Sequence, residues 1–92
     1  MALRVEFTPT GWEDYSHWVA ADSQMVDRIH DLIKDISRDP FKGLGKPEPL
    51  RHDLAGFWSR RITGEHRLVY AVSGDRKERK VIVLMCRYHY DR

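Results

Sequence analysis

The sequence predicts an α+β domain in which two helices pack on one face of an antiparallel sheet. Three observations predict it. Residues 3–7 alternate apolar and polar, as a half-buried strand does. Residues 10–39 carry apolar side chains at helical spacing, broken once. From Arg51 onward the pattern is that of strands separated by turns. Ninety-two residues make one domain, taken as 1–92, whose single core leaves little stability to spare.

The elements follow in order. Leu3-Arg4-Val5-Glu6-Phe7 reads as the first strand. Thr10 is expected to open a helix, with Glu13 completing a capping box. Trp12, Tyr15, Trp18 and Val19 recur as its core stripe. Asp22-Ser23 breaks this helix and caps a second, along which Met25, Val26, Ile29, Leu32, Ile33 and Ile36 form an apolar stripe. Asp39-Pro40 stops it, and the pair reads as an antiparallel hairpin. Residues 40–50 hold three prolines and two glycines, which predicts a long structured loop with neither helix nor strand. Segments 57–63 and 66–72 flank Gly64-Glu65, a pair that suits a type II′ turn and would set Arg61 opposite Leu68. A second polar turn covers 73–79. Lys80 through Cys86 is nearly all apolar, as in a central strand covered on at least one face. The last three strands form an antiparallel meander. No repeat, low-complexity stretch or second domain interrupts this order.

Composition narrows the function. No apolar run approaches the roughly 18 residues that would span a bilayer, and Met1-Ala2-Leu3-Arg4 leads straight into a strand without a signal-peptide core. A lone cysteine, Cys86, fits a reducing cytoplasm and a buried place in an apolar strand. The net charge of +2 hides an asymmetry. Residues 1–37 carry three Arg/Lys against seven Asp/Glu, whereas residues 38–92 carry thirteen against seven. The basic half invites a polyanion and the acidic half reads as a solvated helical face, although the split could also scatter over the surface. Phosphate-loop, Cys-x-x-Cys, His-Glu-x-x-His and Gly-x-Ser-x-Gly motifs are lacking. His17, His30, His52, His66 and His89 do not pair as zinc ligands do. Neither metal nor cofactor is expected.

What stands out is a set of polar groups where a small domain would favour apolar ones. Arg60 and Arg61 lie in mid-strand and project to opposite faces. Arg60 shares a face with Trp58 and Ile62; Arg61 shares one with Phe57, Ser59 and Thr63, with Arg67 next along across the hairpin. Neighbouring guanidiniums repel unless an anion sits between them, and a phosphodiester matches their paired donors. Salt bridges to Asp53, Glu65 or the acidic helices are the alternative. The run Arg87-Tyr88-His89-Tyr90 offers proton transfer near neutral pH beside stacking rings, or else an aromatic plug for the core. Glu48 is a carboxylate held between Pro47 and Pro49. Metal-free cleavage of RNA needs a base for the 2′-hydroxyl, an acid for the 5′-oxygen and cations for the phosphorane. Glu48, His89, and Arg67 with Arg61 would fill those roles.

Pro40-Phe41, the run Gly43-Leu44-Gly45-Lys46-Pro47-Glu48-Pro49-Leu50 and the run Gly56 to Thr63 resemble the YoeB/Txe toxins of the RelE superfamily. Glu65 to Tyr70, Cys86 to Tyr90 and the N-terminal Trp12, Asp14-Tyr15 and Trp18 extend the resemblance over nearly the whole chain. It implies a RelE-like microbial ribonuclease fold and a type II toxin–antitoxin system, in which the toxin enters the ribosomal A site and cuts mRNA to a 2′,3′-cyclic phosphate and a 5′-hydroxyl. Carried onto this chain, Glu48 resembles the general base, His89 the general acid and Arg67 the transition-state cation. Arg61 and Tyr90 resemble supporting residues, and Lys46, Arg51 and His52 resemble RNA or ribosome contacts. Arg60, Arg87 and Tyr88 complete the expected RNA-binding set. The implied partners are a YefM-like antitoxin and operator DNA bound through the toxin–antitoxin complex; the number of aromatic residues allows a homodimer without requiring one. Two features depart from the family. Asp91-Arg92 follows the tyrosine at which relatives often end, and the 73–79 turn is longer and more basic than in short members. The rival reading is a toxin of the same fold that blocks a target without catalysis. Such relatives lack the acid–base pair that Glu48 and His89 would form.

Overall fold

In the computed structural model, which describes residues 3–89, the chain runs β1 (Arg4–Phe7), α1 (Pro9–Ala21), α2 (Ser23–Arg38), β2 (Glu48–Pro49), a 3-10 turn (His52–Leu54), β3 (Trp58–Arg61), β4 (Arg67–Ser73) and β5 (Lys80–Met85). The strands form one sheet in the order β1-β5-β4-β3-β2. The expected meander β3-β4-β5 is antiparallel, and both edges extend it. At one edge β1 pairs parallel with β5. At the other, Glu48 and Pro49 pair with Ser59 and Trp58, so the 40–50 segment does contain a short strand. Its prolines are tolerated because an edge strand need not donate outward.

The hairpin between β3 and β4 corrects the expected register by one residue. Arg61 faces Arg67, and Arg60 faces Leu68. Gly64 is not among the glycines with the positive φ that a type II′ turn requires. Thr63 supplies the turn chemistry instead: its Oγ1 accepts the N–H groups of Glu65 and His66, each at 3.2 Å. The loop is therefore Thr63-Gly64-Glu65, closed by Ile62 N–H donating to the His66 carbonyl at 2.9 Å.

Two apolar clusters cover the sheet. Ile29, Leu32, Ile33 and Ile36 of α2 pack on Leu68, Tyr70, Val81 and Val83. On the opposite face Leu50, Leu54 and Phe57 pack on Val69, Leu84 and Met85. A bulge allows one strand to serve both. Tyr70 pairs with Val83 but Val69 pairs with Met85, leaving Leu84 as the extra residue. Val83 and Cys86 thus both join the helix-side cluster, while Leu84 and Met85 both face away from it.

The bulge leaves backbone groups that must find partners, and α1 provides them. Asp14 Oδ2 accepts the Cys86 N–H at 3.1 Å, and Trp18 Nε1 donates to the Cys86 carbonyl at 2.8 Å. Gly11 sits so close that a Cβ there would lie 2.4 Å from the Val83 carbonyl oxygen. The buried face of α1 is therefore Gly11, Asp14 and Trp18; of the expected stripe Trp18 is in the core and Tyr15 packs against it. Trp12 and Val19 are 57% and 59% exposed. The N-cap is Thr8, not Thr10: its Oγ1 accepts the Gly11 N–H and donates to the Leu84 carbonyl. The second helix begins and ends as the sequence predicts, with Asp22 Oδ1 accepting the N–H groups of Gln24 and Met25 and Asp39 closing it. Among the described residues no helix is long and apolar enough to cross a membrane.

Candidate active site

The sheet carries the candidate residues in consecutive strands. Glu48 faces Ser59 across β2 and β3, and Ser59 faces Val69 across β3 and β4. Directly paired residues share a face, so Glu48 lies on the side away from the helices. Two residues along the same face, Arg61 faces Arg67. Paired side chains have Cβ atoms about 4.5–5.5 Å apart and diagonal ones about 7–8 Å. Glu48 is therefore a diagonal neighbour of Arg61, and Arg61 is the direct neighbour of Arg67. Beyond β5 the chain continues alongside β4, where Arg67 N–H donates to the Tyr88 carbonyl at 2.9 Å. Crossing the sheet, one meets Glu48, Arg61, Arg67 and then the segment bearing His89. Tyr90, Asp91 and Arg92 lie outside the described residues.

The two adjacent arginines divide the alternatives left open by the sequence. Arg60 is fully buried on the helix side. Its guanidinium pairs with Asp35 of α2 and donates to the carbonyls of Asp39, Lys42 and Leu44 at 2.7, 3.0 and 3.1 Å. Its Nε donates to Tyr70 Oη at 3.2 Å, and that hydroxyl in turn donates to the Pro40 carbonyl. Arg60 therefore organises the loop after α2, and the expected RNA contact is corrected. No donor faces solvent. Burial pushes the Tyr70 phenol up, which keeps it a donor. The Leu44 N–H and then Arg60 hold the Asp35 carboxyl below its ordinary value against the opposing effect of burial. Arg61, by contrast, is exposed, and its side chain makes no hydrogen bond or ion pair among the described residues.

Arg67 is 9% exposed. One terminal nitrogen donates to the carbonyls of Thr63, Gly64 and His66 at 2.8, 3.2 and 3.2 Å, which fixes the guanidinium under the hairpin loop. Arg61 pairs with Arg67 across the two strands, and the repulsion between the two cations is one that an anion between them would relieve. The loop that carries Glu48 is fixed just as firmly. Arg61 N–H donates to the Gly45 carbonyl at 2.7 Å, and Gly45 has φ 78° where a Cβ would meet the Arg61 carbonyl at 2.9 Å. An open cleft of about 580 Å³ runs along Glu48, Leu50, Arg51, His52 and Leu54.

Backbone strain marks the same places. Among the described residues the non-glycine positions with positive φ are Lys46, His52 and Tyr88, at 52°, 58° and 62°. Each such conformation costs on the order of 1–3 kcal/mol and persists where the surroundings enforce it. All three are residues that the sequence singled out.

The family described as YoeB-like toxin of bacterial type II toxin-antitoxin system matches residues 7–90. The chain belongs to the YoeB-like toxins. It is 53% identical to Toxin YoeB of Streptomyces coelicolor and 51% identical to Toxin YoeB of Escherichia coli, in each case over 96% of this chain and 100% of the relative. The solved YoeB/ParE toxin from Agrobacterium tumefaciens superposes with a TM-score of 0.89 at 51% identity, covering 96% of this chain and all of that one. The toxin in the YoeB-YefM complex from Staphylococcus aureus superposes with a TM-score of 0.85 at 41% identity, over 98% of this chain and all of that one.

For this YoeB-like toxin, the fold gathers Glu48, Arg61 and Arg67 on one side and bonds the segment that leads to His89 to the Arg67 backbone; Lys46, Arg51 and His52 are exposed. Arg87 lies over Trp18 and Tyr88, its guanidinium carbon 5.9 and 4.6 Å from the ring centroids, and its buried Nε has no partner among the described residues. One residue escaped the sequence reading. His66 Nδ1 accepts the Tyr88 N–H at 2.8 Å. Its signal was available: His66 falls at period two with Leu68 and Tyr70, a polar ring on an apolar face.

Proposed function

We propose that this toxin is a metal-independent endoribonuclease that cuts mRNA in the ribosomal A site and so inhibits translation. Glu48 takes the proton of the 2′-hydroxyl, which attacks the adjacent phosphorus. Arg67 and Arg61 bind the non-bridging oxygens as charge builds on them. His89 protonates the departing 5′-oxygen, leaving a 2′,3′-cyclic phosphate and a 5′-hydroxyl. Tyr90 supports the site, and Lys46, Arg51, His52, Arg87 and Tyr88 hold the RNA by charge and stacking. The observation that carries this reading is the row Glu48, Arg61 and Arg67 across adjacent strands, with the backbone of the tail that leads to His89 bonded to Arg67. In-line displacement calls for a base and an acid on opposite sides of the phosphorus.

The solved Staphylococcus aureus relatives include a YoeB-YefM complex and a YoeB dimer. That likeness supports a YefM-like antitoxin and a second copy of itself as partners of this chain; operator DNA bound through the toxin–antitoxin complex and a place in the cytoplasm complete the proposal. Mapping mRNA 5′ ends after induction tests the activity. New ends in register with the reading frame, and none when naked mRNA meets the pure protein, are expected. Equal cleavage with and without ribosomes contradicts the A-site reading.

A further inference from the structure

We propose that His66 is the positioning residue for the C-terminal segment, holding the acid in place through its unprotonated Nδ1. The inference rests on the nuclease reading above. A backbone N–H can only donate, so the 2.8 Å bond from Tyr88 N–H makes His66 Nδ1 the acceptor and assigns the neutral ring's proton to Nε2. The next residue, Arg67, donates its N–H to the Tyr88 carbonyl at 2.9 Å. Residues 66 and 67 thus grip both sides of one tail residue, immediately before His89.

The grip enforces an unfavourable backbone. Tyr88 has φ 62°, a left-handed conformation that residues with a Cβ rarely adopt. Without a partner for its N–H, relaxation to an extended conformation would swing His89 away from Arg67. The ring itself cannot drift. Its edge-to-face contact with Trp18 has centroids 4.9 Å apart, and Tyr88 lies 5.8 Å away on a tilted contact. Trp18 is in turn held by the Cys86 carbonyl, two residues upstream of Tyr88. The line Trp18, His66, Tyr88 therefore couples α1 and the hairpin to the orientation of His89. His66 touches no substrate in this role. It acts through the N–H of Tyr88, the residue before the acid.

Two variants of the full chain separate the acceptor from the ring. His66→Phe keeps the contact with Trp18 and removes the acceptor. His66→Asn sacrifices the ring but can present Oδ1 near the Nδ1 position. In His66→Phe, hydrogen exchange of the Tyr88 amide, followed by NMR, is expected to accelerate about tenfold. Single-turnover kcat on programmed ribosomes should fall up to about 100-fold with KM unchanged, as for a misplacement on the order of 1 Å. His66→Asn should recover most of both. Unchanged Tyr88 exchange in His66→Phe, or His66→Asn as impaired as His66→Phe, overturns the proposal. Should His66→Phe fail to fold, His66→Asn decides alone: an unprotected Tyr88 amide in a folded His66→Asn chain overturns it. A wild-type chain with a protected Tyr88 amide and no cleavage overturns the nuclease reading and leaves the tail anchor standing.

Discussion

Glu48→Gln is expected to slow single-turnover cleavage on programmed ribosomes by about 10²–10⁴-fold, the usual worth of a general base, with the melting temperature unchanged. The carboxylate is exposed on the short edge strand β2. Backbone pairing with Ser59 and the Gly45–Arg61 bond hold the strand that carries it. The amide keeps the shape and loses the basicity. Exposed substitutions of this kind shift stability by less than about 0.5 kcal/mol, so a large rate loss belongs to chemistry. Cleavage within a few-fold of wild type would remove Glu48 from the mechanism.

Arg60→Met is expected to destabilise the fold by about 3–5 kcal/mol, the cost of breaking a buried ion pair by deleting one partner. For a domain of this size that is a large share of the total. Methionine fills much of the volume but deprives Asp35 of its cationic partner and leaves the carbonyls of Asp39, Lys42 and Leu44 without the donors of Arg60. Urea denaturation measures the loss; a midpoint close to wild type would contradict it. The same network predicts a pH dependence. The folded-state pKa of Asp35 is lowered, by the Leu44 N–H first and by Arg60. Its contribution is therefore fully present above the ordinary carboxylate value and is lost as pH falls below about 4 toward the folded value. Arg60→Met should flatten that part of the stability profile, because one of the causes of the shift is gone.

The contrast between Arg60 and Arg61 also indicates how far the sequence could be read. Strand alternation assigned them to opposite faces, and the fold agrees. Alternation could not say which face the helices cover with an acid, and Asp35, 25 residues upstream, decides it. Glu48, Arg61, Arg67 and the tail were legible as chemistry, whereas their adjacency depends on a two-residue strand in a proline-rich loop and on the hairpin register. Local propensity opposed the first, and a Gly-Glu pair suggested the wrong turn for the second. Thr63 took over the role that Gly64 was expected to play. On α1, hydrophobicity pointed correctly to Tyr15 and Trp18 but wrongly to Trp12 and Val19, and it gave no sign of Asp14, which docks with Trp18 on a bulge that no periodicity in β5 announces. His66 was missed for the same reason. Its partner is a backbone N–H 22 residues away.

The central claim is that a base at Glu48 and an acid at His89 act on one phosphodiester. An mRNA carrying sulfur in place of the 5′-bridging oxygen at the scissile bond tests it directly, since a thiolate leaves without being protonated. The account predicts that His89→Gln, slow on normal mRNA, cleaves the sulfur-bridged message within about tenfold of wild type, while Glu48→Gln stays slow on both. Equal slowness of the two variants on the sulfur-bridged message would contradict the division of roles.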